Sequence, residues 1–451
     1  MVSTGATANR RSDPIMNFLL VLSVFALFFM MVFVPTVYQA PKGVFLGVAF
    51  SIILFRLLSG RLCLNRSIVF ITGLMAVNGL FFVLLGVVRG APGAINVCTV
   101  YVIWPLIFAV LIAGVSKEEV INKLFLLLLT ASASAAIYMI IFILQGPLGL
   151  LSGKYFVNIF PNGTYGVSLG GGLDYMGISF LSMPPFLFVV PFLLAALMSW
   201  PLESGMPVKR LYLWAVFFIG MLIIIISGKR AYLLILAVSP ILTYVLQRFS
   251  PRRNRKAYSA PVRRVLVVGL LMMVAIVGYL HYAYNIQVTG LLNHFSSGFN
   301  FKTGGASPMM REEQYHALMN AWSRRPLLGA GLGAVDWASV RNFKMPWAYE
   351  LSYVALLFHV GIIGFAIYSI GVLWIIWKSV QIIRSGERLG LYVLPVLVGM
   401  ISFLIANATN PFLEKFDYIW VLFLPIALIN YHLSTNRRNK FNRLEPGESF
   451  T

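Results

Sequence analysis

Ser227-Gly228-Lys229-Arg230-Ala231-Tyr232 joins two apolar stretches with almost no loop, which leaves Lys229 and Arg230 at a membrane boundary. A guanidinium there can grip two phosphate oxygens together, because its planar fork matches their spacing. It can equally snorkel to the phosphate of an ordinary lipid. Arg311, in Arg311-Glu312-Glu313-Gln314-Tyr315, is a second such cation, with pairing to Glu312, Glu313 or a neighbouring helix as its alternative. Two arginines beside one diphosphate would matter, since opposite unit charges at roughly 4 Å attract by about 4 kcal/mol at an effective dielectric near 20. Glu350, in Tyr349-Glu350-Leu351-Ser352-Tyr353, is a carboxylate that either pairs with an arginine or takes a proton from a hydroxyl as a general base. Tyr315, His316 and Tyr353 are near enough in the chain to be further substrate contacts.

The elements that must position these groups are membrane helices. The chain has 451 residues, of which 59% are hydrophobic and 11% charged, so a soluble globule is excluded. About 20 apolar residues make one helical crossing, and backbone groups in hydrocarbon must be satisfied within the segment. The apolar runs are continuous rather than alternating, which disfavours a β-barrel. We expect an all-α polytopic membrane protein with about twelve crossings. They fall near 16–38, 41–58, 66–88, 96–114, 122–145, 176–198, 210–227, 231–248, 263–283, 350–377, 389–407 and 416–433. Residues 1–15 and 434–451 are expected as cytoplasmic tails, 16–283 as a bundle of nine helices, and 350–433 as the last three. The first span is too long for a signal-peptide core, so it reads as an uncleaved helix.

The net charge of +21 would suggest nucleic acid until the charges are placed. With both termini in the cytoplasm, 23 lysines and arginines lie inside and 12 outside, the asymmetry that orients membrane proteins. The basic run 252–264 then reads as an anchor or a contact with anionic lipid. Cys63 and Cys98 fall on opposite sides, so no disulfide is expected, and two cysteines imply no metal cluster.

Two outer loops are long. One, near 147–175, is rich in glycine and aromatics; Asn162-Gly163-Thr164 in it matches a glycosylation sequon, a tripeptide common by chance. The other, 284–349, carries a helix predicted over Met309–Arg324, with Arg311, Tyr315, Leu318 and Trp322 on one face. That helix could lie along the membrane surface, Trp322 at the headgroups. His316 lies about 140° round from Arg311 and reads as solvent-facing. If Glu350 opens the tenth helix, Gly361 and Gly364 lie about 20° and 40° from it, a face of small residues pointing into the bundle. His359 then faces away and reads as a packed, hydrogen-bonded histidine. Gly329-Ala330-Gly331-Leu332-Gly333 has the look of a nucleotide loop, but it follows a helix rather than a strand. No Asp-x-Asp occurs to anchor a metal for nucleotide-sugar chemistry.

Together these pieces resemble the O-antigen ligase/polymerase superfamily of bacterial membrane glycosyltransferases. The match runs over about 227–365: the Ser227–Ala231 hairpin, then Arg311 with Trp322, Pro326-Leu327-Leu328-Gly329 and Gly331-Leu332-Gly333, then Glu350–Leu357 with Gly361-Ile362-Ile363-Gly364. The resemblance implies a GT-C type fold, a periplasmic active site in the inner membrane, and a glycan on undecaprenyl diphosphate as donor. It carries the diphosphate contacts onto Arg230 and Arg311, with Lys229 beside them. Ligases of the family usually have His-Asn where this chain has Glu350-Leu351, so the resemblance favours a polymerase of the Wzy type with Glu350 as base. The expected partners are lipid-linked glycan as donor and acceptor, membrane lipids and a chain-length regulator, with no nucleic acid and no cofactor or metal. The rivals are a ligase acting on lipid A–core or protein, and a flippase or other transporter. Transport is disfavoured because transporter charges sit near the midplane, whereas these lie at helix ends.

Overall fold

The computed structural model describes residues 14–145 except 63 and 116, residue 159, residues 167–170, 177–200, 208–251 except 228, 306–340 and 343–444, with isolated positions between 267 and 282. Most of the ninth expected crossing, the basic run 252–264, the sequon and most of the first long loop lie outside them.

Six helices come before the first long loop: α1 (Pro14–Phe33), α2 (Gln39–Leu58), α3 (Arg66–Val88), α4 (Ala94–Cys98), α5 (Trp104–Val115) and α6 (Glu118–Gln145). A π-turn, Thr99–Ile103, joins α4 to α5. Pro105 explains it, because a proline cannot donate to the carbonyl four residues back, and a wider turn relieves the clash. Asn65 starts α3 by accepting the Ser67 N–H through its side chain at 3.0 Å. Glu118 and Glu119 favour the positive end of α6. The second half comprises α7 (Phe186–Ser199), α8 (Arg210–Ser227), α9 (Arg230–Gln247), α10 (Ala306–Ser323), α11 (Ser352–Arg384), α12 (Gly390–Asn407) and α13 (Trp420–Leu444).

Among the described residues, eight helices are long and apolar enough to cross a membrane, which fits a polytopic membrane protein. α7 and α8 are shorter apolar helices. The sixth span was expected to begin at residue 176. Instead an antiparallel ribbon, β1 (Val167–Gly170) against β2 (Gly177–Phe180), precedes α7, with Val167 opposite Phe180 and Gly170 opposite Gly177. Pro184 and Pro185 delay the helix, since a residue before proline is pushed out of the α region. All of α7 is buried, as a helix apolar on every side must be. It packs on α12, α9, α8 and α6. The Trp200 indole N–H donates to the Leu391 carbonyl at 2.7 Å and pins the end of α7 to the start of α12. Near the other end of the bundle, where α3 ends and α9 and α11 begin, lie the residues singled out by chemistry. We call it the site end.

Candidate active site

α10 packs on α11, and one side chain does most to join them. Gln314 is buried; its amide oxygen accepts the N–H groups of Glu350 and Leu351 at 3.1 and 3.2 Å, and its amide nitrogen donates to the Ser339 carbonyl at 3.3 Å. Those bonds hold the backbone entering α11. One turn earlier, Arg311 Nε donates to Glu350 Oε2 at 3.0 Å, and both side chains stay about one-third exposed, at 29% and 36%. The structure thus brings together the arginine and carboxylate that sequence separates by 39 positions. Glu350 does not open the helix as expected, because α11 begins at Ser352; the pair is made by Gln314 and not by helix phase. Tyr349 is buried beneath, its phenol oxygen accepting the Asp336 N–H at 2.7 Å. Burial pushes that phenol up to about 12, so it stays protonated.

The glycine segment 329–333 has a structural task that the nucleotide-loop pattern did not suggest. α11 is broken at Gly361 (φ 61°, ψ −171°). Across the break Ile362 and Ile363 N–H donate to the carbonyls of Pro326 and Leu327 at 2.9 and 3.2 Å. The carbonyls so released, of Phe358 and His359, accept Ala330 and Gly331 N–H at 2.8 Å each. The loop is therefore spliced into the helix, and it replaces these two donors and two acceptors. Gly331 lies against Gly86 of α3 and Gly333 against Ala94 of α4, both with positive φ and backbone too close for a Cβ. Arg89 closes the join by donating to the Gly329 carbonyl. Gly361→Ala is expected to add about 1–3 kcal/mol of backbone strain to a clash between its Cβ and the Leu327 carbonyl. A large fall in thermal midpoint in detergent checks it, against Gly47→Ala, which meets nothing within 4 Å and should gain about 1 kcal/mol.

The other expected contacts divide. Arg230 opens α9 and Lys229 precedes it. α9 packs on α7 and α12, and α12 packs on α11. The expected face of α10 is corrected: the inward residues are Arg311, Gln314 and Leu318, while Tyr315 is exposed. His316 is exposed as well, with Glu312 at 4.0 Å. Tyr353 points the other way, donating its hydroxyl to the Leu404 carbonyl at 2.6 Å. His359 is buried and hydrogen-bonded to the Ala334 carbonyl at 3.0 Å, the packing role expected of it. Gly364 does mark close packing, since a Cβ there would clash with the Phe82 ring of α3. Trp322 packs against the cluster that holds Leu318, Tyr349 and Phe358 and donates to the Pro326 carbonyl at 3.2 Å.

Sequence reasoning missed Gln314, although it is three residues from Arg311 and so on the same side of the helix. It also missed Lys42 and Asp417, a buried ion pair at 2.5 Å with 1% and 2% of their side chains exposed. Lys42 also donates to the Val34 carbonyl at 2.8 Å, and Asp417 accepts the Thr36 N–H at 2.9 Å. Thr36 and Tyr38 both have positive φ, rare for side chains of their bulk. Asp417 holds that tight link at the site end. Among the described residues, no group of three His, Cys, Asp or Glu side chains is placed to hold a metal ion. Comparisons with protein-family models, with curated proteins and with solved structures found no match.

Proposed function

We propose that the protein is a membrane glycosyltransferase that polymerises lipid-linked glycan repeats, a GT-C type enzyme with twelve crossings, its site end facing the periplasm. The observation that carries this reading is the Arg311–Glu350 pair, half open at a helix entrance and held by Gln314. An ion pair alone is inert. A donor diphosphate would compete for the Arg311 guanidinium, whose fork binds phosphate in two places, and Arg230 would add charge from α9. Glu350, relieved of its partner, then accepts the proton of an acceptor sugar hydroxyl. The hydroxyl oxygen attacks the anomeric carbon, and the carbon–oxygen bond to diphosphate breaks with its electron pair on the departing undecaprenyl diphosphate. The arginines stabilise the charge that develops there. Attack opposite the leaving group inverts the anomeric centre, and Glu350 gives its proton to water before the next turnover.

Purified protein supplied with a defined undecaprenyl-diphosphate repeat should produce a ladder of longer lipid-linked chains without lipid A. Movement of the lipid across liposomes with no new glycosidic bond would replace this reading by transport. Arg230→Lys keeps the charge and loses the fork, so the ladder should shorten clearly at normal protein levels. Unchanged chain growth in that variant would remove Arg230 from the diphosphate site.

A further inference from the structure

A second feature of the site end is independent of the ion pair. Between α3, the π-turn and start of α5, α11, α12 and α13 lies a crevice of about 490 Å³, within the range that binds small ligands. Its walls run from Ser352 and Asn407 at the site end to Gly371 and Ile375, well down α11. At 1.5 Å per residue that is roughly 30 Å, the depth of one leaflet and more. Most of the lining is aliphatic or aromatic. Polar groups line both ends: Ser352, Tyr353, Asn407 and Glu414 at the site end, and Thr72, Tyr368 and Ser369 farther down, where Tyr101 packs against Tyr368.

We propose that this crevice binds one long-chain amphiphile with an uncharged, hydrogen-bonding head, such as a primary alcohol, seated at Ser352 and Glu414 with its chain along α11. The lining contains no lysine, arginine or histidine, and its one acidic side chain is Glu414. A phosphate head would meet a carboxyl group and no cation. Most of the other polar groups are already engaged within the protein. Tyr353 donates to the Leu404 carbonyl, Ser369 to that of Phe365, Thr72 to that of Ile68, and the Asn407 side-chain oxygen accepts the Leu413 N–H. At the site end the Ser352 hydroxyl differs. It is 93% buried by its 7% exposure, lines the crevice, and has no hydrogen-bond partner among the described residues. Buried hydroxyls are rarely left so, and a ligand hydroxyl would satisfy it. Burial pushes the Glu414 carboxyl up to about 8, against a smaller opposing effect of Lys415, so at neutral pH it is mainly protonated and can donate as well as accept. Gly371 leaves the deep end without a side chain, next to Met75 of α3.

The test uses the purified full chain in lipid nanodiscs with three photoactivatable C16 probes that differ only in the head: alcohol, phosphate monoester and plain hydrocarbon. After irradiation, labelled peptides are mapped by mass spectrometry. The alcohol should label residues of the 352–375 and 419–426 segments at least tenfold more than either other probe. Leu356→Trp, which fills the crevice, and Ser369→Leu, a milder obstruction, should each remove most of that labelling with an unchanged thermal midpoint. Ser352→Ala should lower alcohol labelling several-fold and leave hydrocarbon labelling as it was. Equal labelling by all three probes would mean an unselective lipid-facing groove and overturn the proposal. Preference for the phosphate, or labelling that ignores both obstructions in folded protein, would overturn it too.

Discussion

Glu350→Gln is expected, on the proposed reading, to slow glycan chain growth by about 10²- to 10⁴-fold, the usual contribution of a positioned general base, with little change in stability. The two halves of that expectation have different physical origins. Glutamine keeps the shape and can still accept from Arg311, but its amide cannot take up a proton. Stability should hold because both side chains are about one-third exposed, and exposed ion pairs contribute only about 0–1 kcal/mol. On the proposed reading, Arg311→Ala should reduce growth as well, for a different reason: the donor would lose a diphosphate contact, so KM should rise. A double variant distinguishes a catalytic unit from two separate roles, because residues acting together lose far less in combination than the sum of their single effects. Rates of ladder growth in detergent, with the thermal midpoint measured alongside, check both. If Glu350→Gln grows chains at the unaltered rate, the base lies elsewhere.

Asp417→Ala is expected to cost about 3–5 kcal/mol of stability, because it leaves the Lys42 ammonium buried without a counter-charge. Both oxygens of Asp417 are in use, one on Lys42 and one on the Thr36 N–H, so the loss also releases the strained link between α1 and α2. Lys42→Met should be costly for the same reason, with the carboxylate as the stranded charge. The double variant Lys42→Met/Asp417→Leu should recover much of the loss, since two apolar side chains strand no charge and well-packed replacements of buried pairs are often neutral. Thermal unfolding of the parent protein, Lys42→Met, Asp417→Leu and their combination forms a cycle. Equal, additive losses would mean that the two groups act through other partners.

The membrane character of the chain was legible from residue types alone. Expected spans and observed helices agree closely for α3, α6 and α12. The exceptions have local causes that can be named afterwards. Pro184-Pro185 shortens α7, and Pro105 opens a π-turn. Gly361 shows why the rest was harder to read. On an ideal helix it shares a face with Glu350, yet Glu350 precedes the helix and Gly361 breaks it. Phase arguments assume that each helix satisfies its own backbone, and this one borrows donors and acceptors from a loop thirty residues away.

Composition and hydropathy determined that the chain would lie in a membrane, roughly where its helices would run, and which unusual charges deserved a role, because a bilayer penalises each unsatisfied group without regard to distant partners. Only the tertiary structure decided which of those charges meet. Arg311 finds Glu350 through Gln314, Lys42 finds Asp417 across 375 positions, and the glycine run closes a gap in a helix. Such pairings depend on where separate helix ends come together in space, and no periodicity along a single segment encodes that.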